Sequence, residues 1–253
     1  MEIIKPTAKA IYEEPEKLVE KLIEERKRLL TGFGSFVEEG KLSKEKFEEA
    51  KKPNFFTLSL IGEPTLYPKL PELIKLLKKK GAVFLVTNGT RPEMLARLQK
   101  EKALPTQLML TMPASNAEQY KKICRPLEKN CWQNLNQTLA FFPKLKCRKA
   151  VEIVVINKIN NSSQDIKRFA LLVRKASPHF IHVKGYMFLG FSKKRLKKEN
   201  MPSHEQIKKF AKALLASLPG YVWAGESERS RVVLLKKKGA RQLIQNSISS
   251  IQK

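Results

Sequence analysis

An α/β fold built on a parallel sheet is the class this sequence predicts, and three observations predict it. Short apolar runs alternate with segments of helical length and helical apolar spacing. Two of those runs end in turn-forming loops, Gly62-Glu63-Pro64 and Thr87-Asn88-Gly89, just before helix-like segments. Hydrophobic residues make up 42% of the 253 residues, enough to bury a core of that size. Strands alternating with helices need right-handed crossovers, so the strands should run parallel, as an open sheet or a curled, partial barrel.

The elements follow in order. Pro15 suits a first helical turn, with Leu18, Leu22 and Leu29 at helical spacing behind it. A linker rich in Gly and charge is expected from Gly32 to about Lys44, then a short helix around Phe47. A buried strand is expected over residues 55–60, and a helix over 70–80 that stops at Gly81. Residues 83–86 and 108–111 read as strands, with a helix near 92–99 between them. Helices near 114–123 and 132–142 lead to a strand over 151–156. A helix over 164–176 leads to a strand over 180–188 and a basic loop. Ser203 and Gln206 have the spacing of a capping box, which opens a helix to about Leu218. Residues 221–223 and 232–235 read as final strands. The polar, basic tail from Lys236 is expected to be partly disordered.

Fifty basic residues face 24 acidic ones, a formal charge of +26. That surplus favours a polyanionic partner, nucleic acid ahead of an anionic membrane surface. No apolar run reaches the roughly 18 residues of a membrane span, and the first residues lack a secretory apolar core. A soluble cytoplasmic protein is expected. Cys124, Cys131 and Cys147 fit no disulfide framework and no usual zinc or iron–sulfur spacing. They are expected as reduced, packed thiols.

In parallel α/β sheets the functional edge lies at the carboxyl ends of the strands, where both loops fall. Glycine lets the chain turn after the strand and proline fixes its exit, which holds the Glu63 carboxylate where it can meet a ligand ammonium. Thr87 and Asn88 offer a hydroxyl and an amide to sugar hydroxyls. Either loop alone is an ordinary turn, but on neighbouring strands they line one pocket. Lys184 reads either as a lysine snorkelling from a strand end or as a Schiff-base or anion-holding group. His182 reads as a core or edge histidine, and His204 as part of a helix start. Lys193, Lys194, Arg195, Lys197 and Lys198 follow the Lys184 strand, as phosphate contacts or as a solvated loop.

SLIGEPTLYP, VTNGTRPE, LPTQLML, KGYMFLGFS, MPSHEQIKKFAKAL and SRVVLL occur in that order. The ordered set resembles the radical S-adenosylmethionine (SAM) tRNA 4-demethylwyosine synthase family, from about residue 15 to 235. The resemblance implies a single partial βα barrel without its first βα unit. It also implies a core over about 15–200, a wyosine-type extension over about 201–235, and a tail over 236–253. It places Gly62, Glu63 and Pro64 at the SAM amino group, Thr87 and Asn88 near its ribose, and Thr111 at a strand end in the site. Lys184 becomes a candidate catalytic residue. The five basic residues become RNA contacts.

The same resemblance implies lyase-type chemistry on a methylated guanosine of tRNA, with pyruvate as co-substrate, and a [4Fe–4S] cluster on a CxxxCxxC loop. No cysteine precedes Gly62. The expectation is therefore a carboxyl-terminal part of a split or truncated enzyme, inactive alone, with a cluster only if its cysteine ligands come from a missing segment or a cysteine-rich amino-terminal partner polypeptide. The alternative is a catalytically inactive tRNA- or RNA-binding relative. Glu152 and Val154 depart from the family pattern, which resembles Arg-Leu-Thr-Leu-Val there. If those positions face the barrel interior, the SAM pocket is altered.

Overall fold

The computed structural model describes residues 12–59 and 62–241; the tail beyond residue 241, where disorder is expected, lies outside them. Helices α1 (Pro15–Leu30), α2 (Gly34–Glu38) and α3 (Lys44–Lys51) come first. The expected linker thus carries a 3-10 turn and a short helix. Phe33 and Phe36, one helical turn apart, meet edge to face at 5.7 Å and give that turn a contact of its own. The Ser43 hydroxyl caps α3 by accepting from the Lys46 amide.

The alternation then runs β1 (Phe55–Leu58), α4 (Leu70–Lys78), β2 (Ala82–Thr87), α5 (Pro92–Lys100), β3 (Gln107–Met112). It continues through α6 (Ala117–Cys124), α7 (Cys131–Phe141), β4 (Arg148–Val155), α8 (Ser163–Ala176) and β5 (Phe180–Gly185). Helix α9 (His204–Ala216), β6 (Tyr221–Ser227) and β7 (Val232–Lys237) close the described chain. Ser203 and Gln206 form the expected capping box.

The seven strands stand in the order β1-β2-β3-β4-β5-β7-β6. The first five are parallel, and β7 joins β5 antiparallel, as β6 joins β7. The parallel expectation fails for this last pair because four residues separate Ser227 from Val232. A parallel connection needs a crossover of about a dozen residues or more.

Burial alternates along the central strands. Val151, Ile153 and Val155 of β4 are buried, while Glu152 and Val154 between them are half-buried. The buried set forms one core with Leu73, Leu98, Leu135, Phe169 and Phe210 of α4, α5, α7, α8 and α9. Each such side chain stabilises the fold by roughly 2 kcal/mol. The helices therefore cover one sheet face. The other face carries Thr111, Glu152, His182 and Lys184 and stays partly open, as in a barrel left unclosed.

Two expectations change. β1 is an edge strand, not a buried one: Phe55 is 50% exposed, and β1 pairs with β2 alone among the described residues. Gly81 does more than end a helix. A Cβ there would lie 2.1 Å from the Asn54 carbonyl oxygen, so only glycine lets β2 start against the chain entering β1.

Candidate functional site

The site grows from the ends of β1 and β2. Gly62 enters at φ +88°, a conformation that glycine adopts freely. Glu63 then caps the 3-10 turn Pro64–Leu66. Its Oε1 accepts from the Thr65 amide at 3.1 Å and the Thr65 hydroxyl at 2.6 Å. The same oxygen accepts from the Thr87 hydroxyl at 2.6 Å, and Oε2 accepts from the Asn88 amide at 2.8 Å. One carboxylate thus joins two strand ends.

The second loop is fixed as tightly. Thr87 Oγ1 accepts from the Gly89 amide at 3.0 Å. Asn88 Oδ1 turns back to accept from the Thr90 amide and hydroxyl at 2.9 and 2.7 Å. Gly89 has φ +72°, and a Cβ there would meet Leu110 Cδ1 at 2.4 Å, so neither the backbone nor the core admits a side chain. From α7, Thr138 donates to the Gly89 carbonyl at 2.7 Å and Asn134 to the Thr90 carbonyl at 3.1 Å.

The structure therefore brings Gly62, Glu63, Pro64, Thr87 and Asn88 into one cluster. Oε1 is filled by protein donors, whereas Oε2 accepts one bond and keeps room for another. The amide oxygen of Asn88 is used within the loop, and among the described residues nothing holds its Nδ2.

Thr111 lies on the open face, directly opposite Glu152 of the next strand. Lys184 sits on the same face of β5, and its Nζ lies 3.3 Å from Glu152 Oε2. The lysine side chain is 42% exposed and the glutamate 16%. Val154 stands opposite Lys184, so both positions where the sequence departs from the family pattern do face the open side. His182 stands opposite Glu152; burial, with Lys184 and Arg148 nearby, lowers its pKa despite Glu152. It is a neutral, face-lining histidine at neutral pH.

Lys193, Lys194, Arg195, Lys197 and Lys198 are all exposed on the segment after β5. Arg195 is held, because its Nη1 donates to the Ile123 carbonyl of α6 at 2.9 Å. Lys193 and Lys194 lie 5.6 and 5.8 Å from the Phe188 and Phe191 ring centroids.

Sequence reasoning missed the polar cluster that seats α6 over this edge. Asp165 Oδ1 accepts from the Ser115 hydroxyl at 2.8 Å and Gln119 Nε2 at 2.7 Å. Its Oδ2 accepts from the Ser162 amide and hydroxyl at 3.1 and 2.6 Å. Burial raises the Asp165 pKa, but the bonds from Ser162, Ser115 and Gln119 outweigh it and the net shift is downward. Asn160 Nδ2 ties the Pro113 and Val154 carbonyls, both at 2.8 Å. The one local signal was Ser162 three residues before Asp165.

The three cysteines are free, and burial disfavours their thiolate forms. Burial pushes the Cys124 thiol up to about 12 and the Cys147 thiol up to about 11, and Cys131 is raised too. Ligands must be thiolates. Among the described residues no group of three His, Cys, Asp or Glu side chains is placed for a metal. No described helix is long and apolar enough to cross a membrane.

Comparison with known proteins adds a family. Residues 10–170 match the radical SAM superfamily, and residues 175–237 match a family described as wyosine base formation. The S-adenosyl-L-methionine-dependent tRNA 4-demethylwyosine synthase of Pyrococcus abyssi is 39% identical over 227 residues, covering 89% of this chain and 65% of that protein. The synthase of Methanocaldococcus jannaschii is 38% identical, covering 91% and 70%. A solved structure of TYW1 with a lysine-pyruvate adduct bound aligns at TM-score 0.81 and 33% identity, covering 95% of this chain and 75% of that one. The chain spans 65% of the length of the two Pyrococcus relatives. With both family matches lying on the strands and loops just described, the chain belongs to the radical SAM superfamily and, within it, to the tRNA 4-demethylwyosine synthase family.

Proposed function

We propose that this chain is the SAM- and tRNA-binding portion of a wyosine-forming synthase, a cytoplasmic lyase-type enzyme acting on an N-methylated guanosine beside the anticodon. The observation that carries this reading is the Glu63 carboxylate joining the ends of β1 and β2. It leaves an acceptor position on Oε2 for a ligand ammonium and the Asn88 Nδ2 donors for ribose hydroxyls. Thr111 adds a hydroxyl on the open face. Bound there, SAM supplies the adenosyl group from which this superfamily makes its radical. The described residues can hold it but offer no cluster thiolates, so binding rather than cleavage is their share.

In this reading the cysteine ligands of a [4Fe–4S] cluster come from a missing or partner segment. The outer edge of β1, which pairs with nothing but β2 among the described residues, supports that, because an open edge accepts an added strand. Lys193, Lys194, Lys197 and Lys198 contact tRNA phosphates, with Arg195 fixing their loop.

The related TYW1 structure holds a lysine-pyruvate adduct. We assign the equivalent role to Lys184. Lys149 is ill suited, because its Nζ is spent on the Pro143 and Leu145 carbonyls at 2.9 and 3.0 Å. Glu152, 3.3 Å away, is placed to take the Lys184 ammonium proton. The free amine then adds to the pyruvate ketone, forming C=N and releasing the ketone oxygen as water. Borohydride added with pyruvate is expected to leave a stable adduct on the wild-type chain and none on Lys184→Gln. Equal labelling of both would refute the assignment.

The Lys184–Glu152 ion pair also supports a second reading, a catalytically inactive tRNA-binding relative, because it satisfies the lysine without substrate. The readings part on SAM. The inactive relative binds tRNA with strong salt dependence and leaves SAM unbound.

A further inference from the structure

A cavity of about 430 Å³ opens on the same edge of the sheet, between α6 and α7. Tyr120 and Trp132 form its wall, their ring centroids 5.6 Å apart and tilted by 50°. Lys121 and Lys129 stand exposed at its rim. Leu127 forms part of the lining yet is 68% exposed, apolar surface that the fold itself leaves uncovered. Arg125 caps α6 at φ +47°, a left-handed conformation unusual for a non-glycine residue, and the turn it makes leads into the Pro126–Leu127 lip.

Three observations place this cavity beside the site already described. Tyr120 lies within reach of the Glu63 charge, the smallest of the causes that push its hydroxyl pKa upward, after burial and then Cys124 and Cys131. Arg91, just after the Thr87–Thr90 loop, pairs with Glu128 of the cavity wall. Arg195 of the basic segment donates to Ile123 of α6, the helix that carries Tyr120. The cavity, the Glu63 cluster and the basic segment therefore share one surface.

We infer that this cavity receives a single unstacked base of the RNA, one neighbouring the nucleotide that enters the main site. An aromatic wall with a lysine rim matches a planar apolar group attached to an anionic backbone. An enzyme acting on a base must pull that base out of its stack, and the neighbour so disturbed needs a new surface to lie against. The net charge of +26 favours a polyanion over an apolar peptide. This inference rests on RNA being the substrate.

The test uses the full chain with Trp223→Phe, so that Trp132 alone reports by fluorescence. Titration with a single-stranded RNA oligomer is expected to quench Trp132. Trp132→Leu, which keeps an apolar side chain, should weaken tRNA binding about tenfold, within what one stacked base contributes. Its salt dependence should not change, and Trp132→Phe should retain most of the affinity. Wild-type affinity in Trp132→Leu together with an unquenched Trp132 would overturn the stacking pocket and leave RNA binding standing. Failure of the wild-type chain to bind any RNA would overturn the substrate reading as well.

Discussion

Replacing Glu63 with alanine is expected to lower stability by roughly 2 kcal/mol and to remove SAM binding together. Four donors lose their acceptor at once: the Thr65 amide and hydroxyl, the Thr87 hydroxyl and the Asn88 amide. Hydrogen bonds to a charged acceptor are each worth about 1.5–3 kcal/mol, and half-buried donors recover part of that from water. The loss falls on the loops and not the core, because Leu85 and Leu110 stay buried whether or not the carboxylate is present. Urea denaturation should show a lower midpoint with an unchanged slope. Glu63→Gln separates the two effects. Its amide oxygen keeps several of the bonds, but it has no charge to offer an ammonium. It should fold close to wild type and still bind SAM at least tenfold more weakly.

The largest purely structural effect is expected at Asp165. Removing its carboxylate leaves the amide and hydroxyl of Ser162 without an acceptor and takes one from Ser115 and Gln119, which keep only Gln119 Oε1 and the Ile159 carbonyl. The carboxylate half of the α8 capping box goes with it, while the Asp165 amide keeps its bond to the Ser162 hydroxyl. Asp165→Ala should therefore destabilise by roughly 3 kcal/mol. The pH dependence follows from the lowered pKa. The contribution is fully present above the unfolded value of about 3.9. As pH drops below that value it begins to shrink, and it is lost as pH passes through the lower folded value. The stability gap between wild type and Asp165→Asn should close over that acid range and stay constant from pH 6 upward, on the order of 2 kcal/mol. A gap that widened on acidification would contradict the ion's hydrogen-bonded state.

Much of this fold was legible because its signals are local. Each strand of the parallel part, and the helix after it, was placed within a few residues by apolar spacing, and Ser203 marked its helix start. Contacts between distant residues were not legible. The exposure of β1 depends on what pairs with Phe55, which no pattern within five residues can report. The antiparallel end was readable in principle from the short connection 228–231, but the parallel rule was carried too far. At the site, two strand ends sufficed to bring Glu63, Thr87 and Asn88 together. That one carboxylate would take bonds from both loops could not be seen, since its partners lie 24 and 25 residues away. Alternation put Glu152 and Lys184 on one face. Their contact needed the register, which sets Glu152 against His182 and Val154 against Lys184.

Calorimetric titration of the intact chain with SAM, beside the same titration with methylthioadenosine, most directly tests the proposal that the β1 and β2 loops hold this ligand by its ammonium and ribose. The proposal predicts a single SAM site, lost in Glu63→Ala, and much weaker binding of the analogue that lacks the amino-acid portion. An absence of SAM binding, or a site that Glu63→Ala leaves intact, would contradict it.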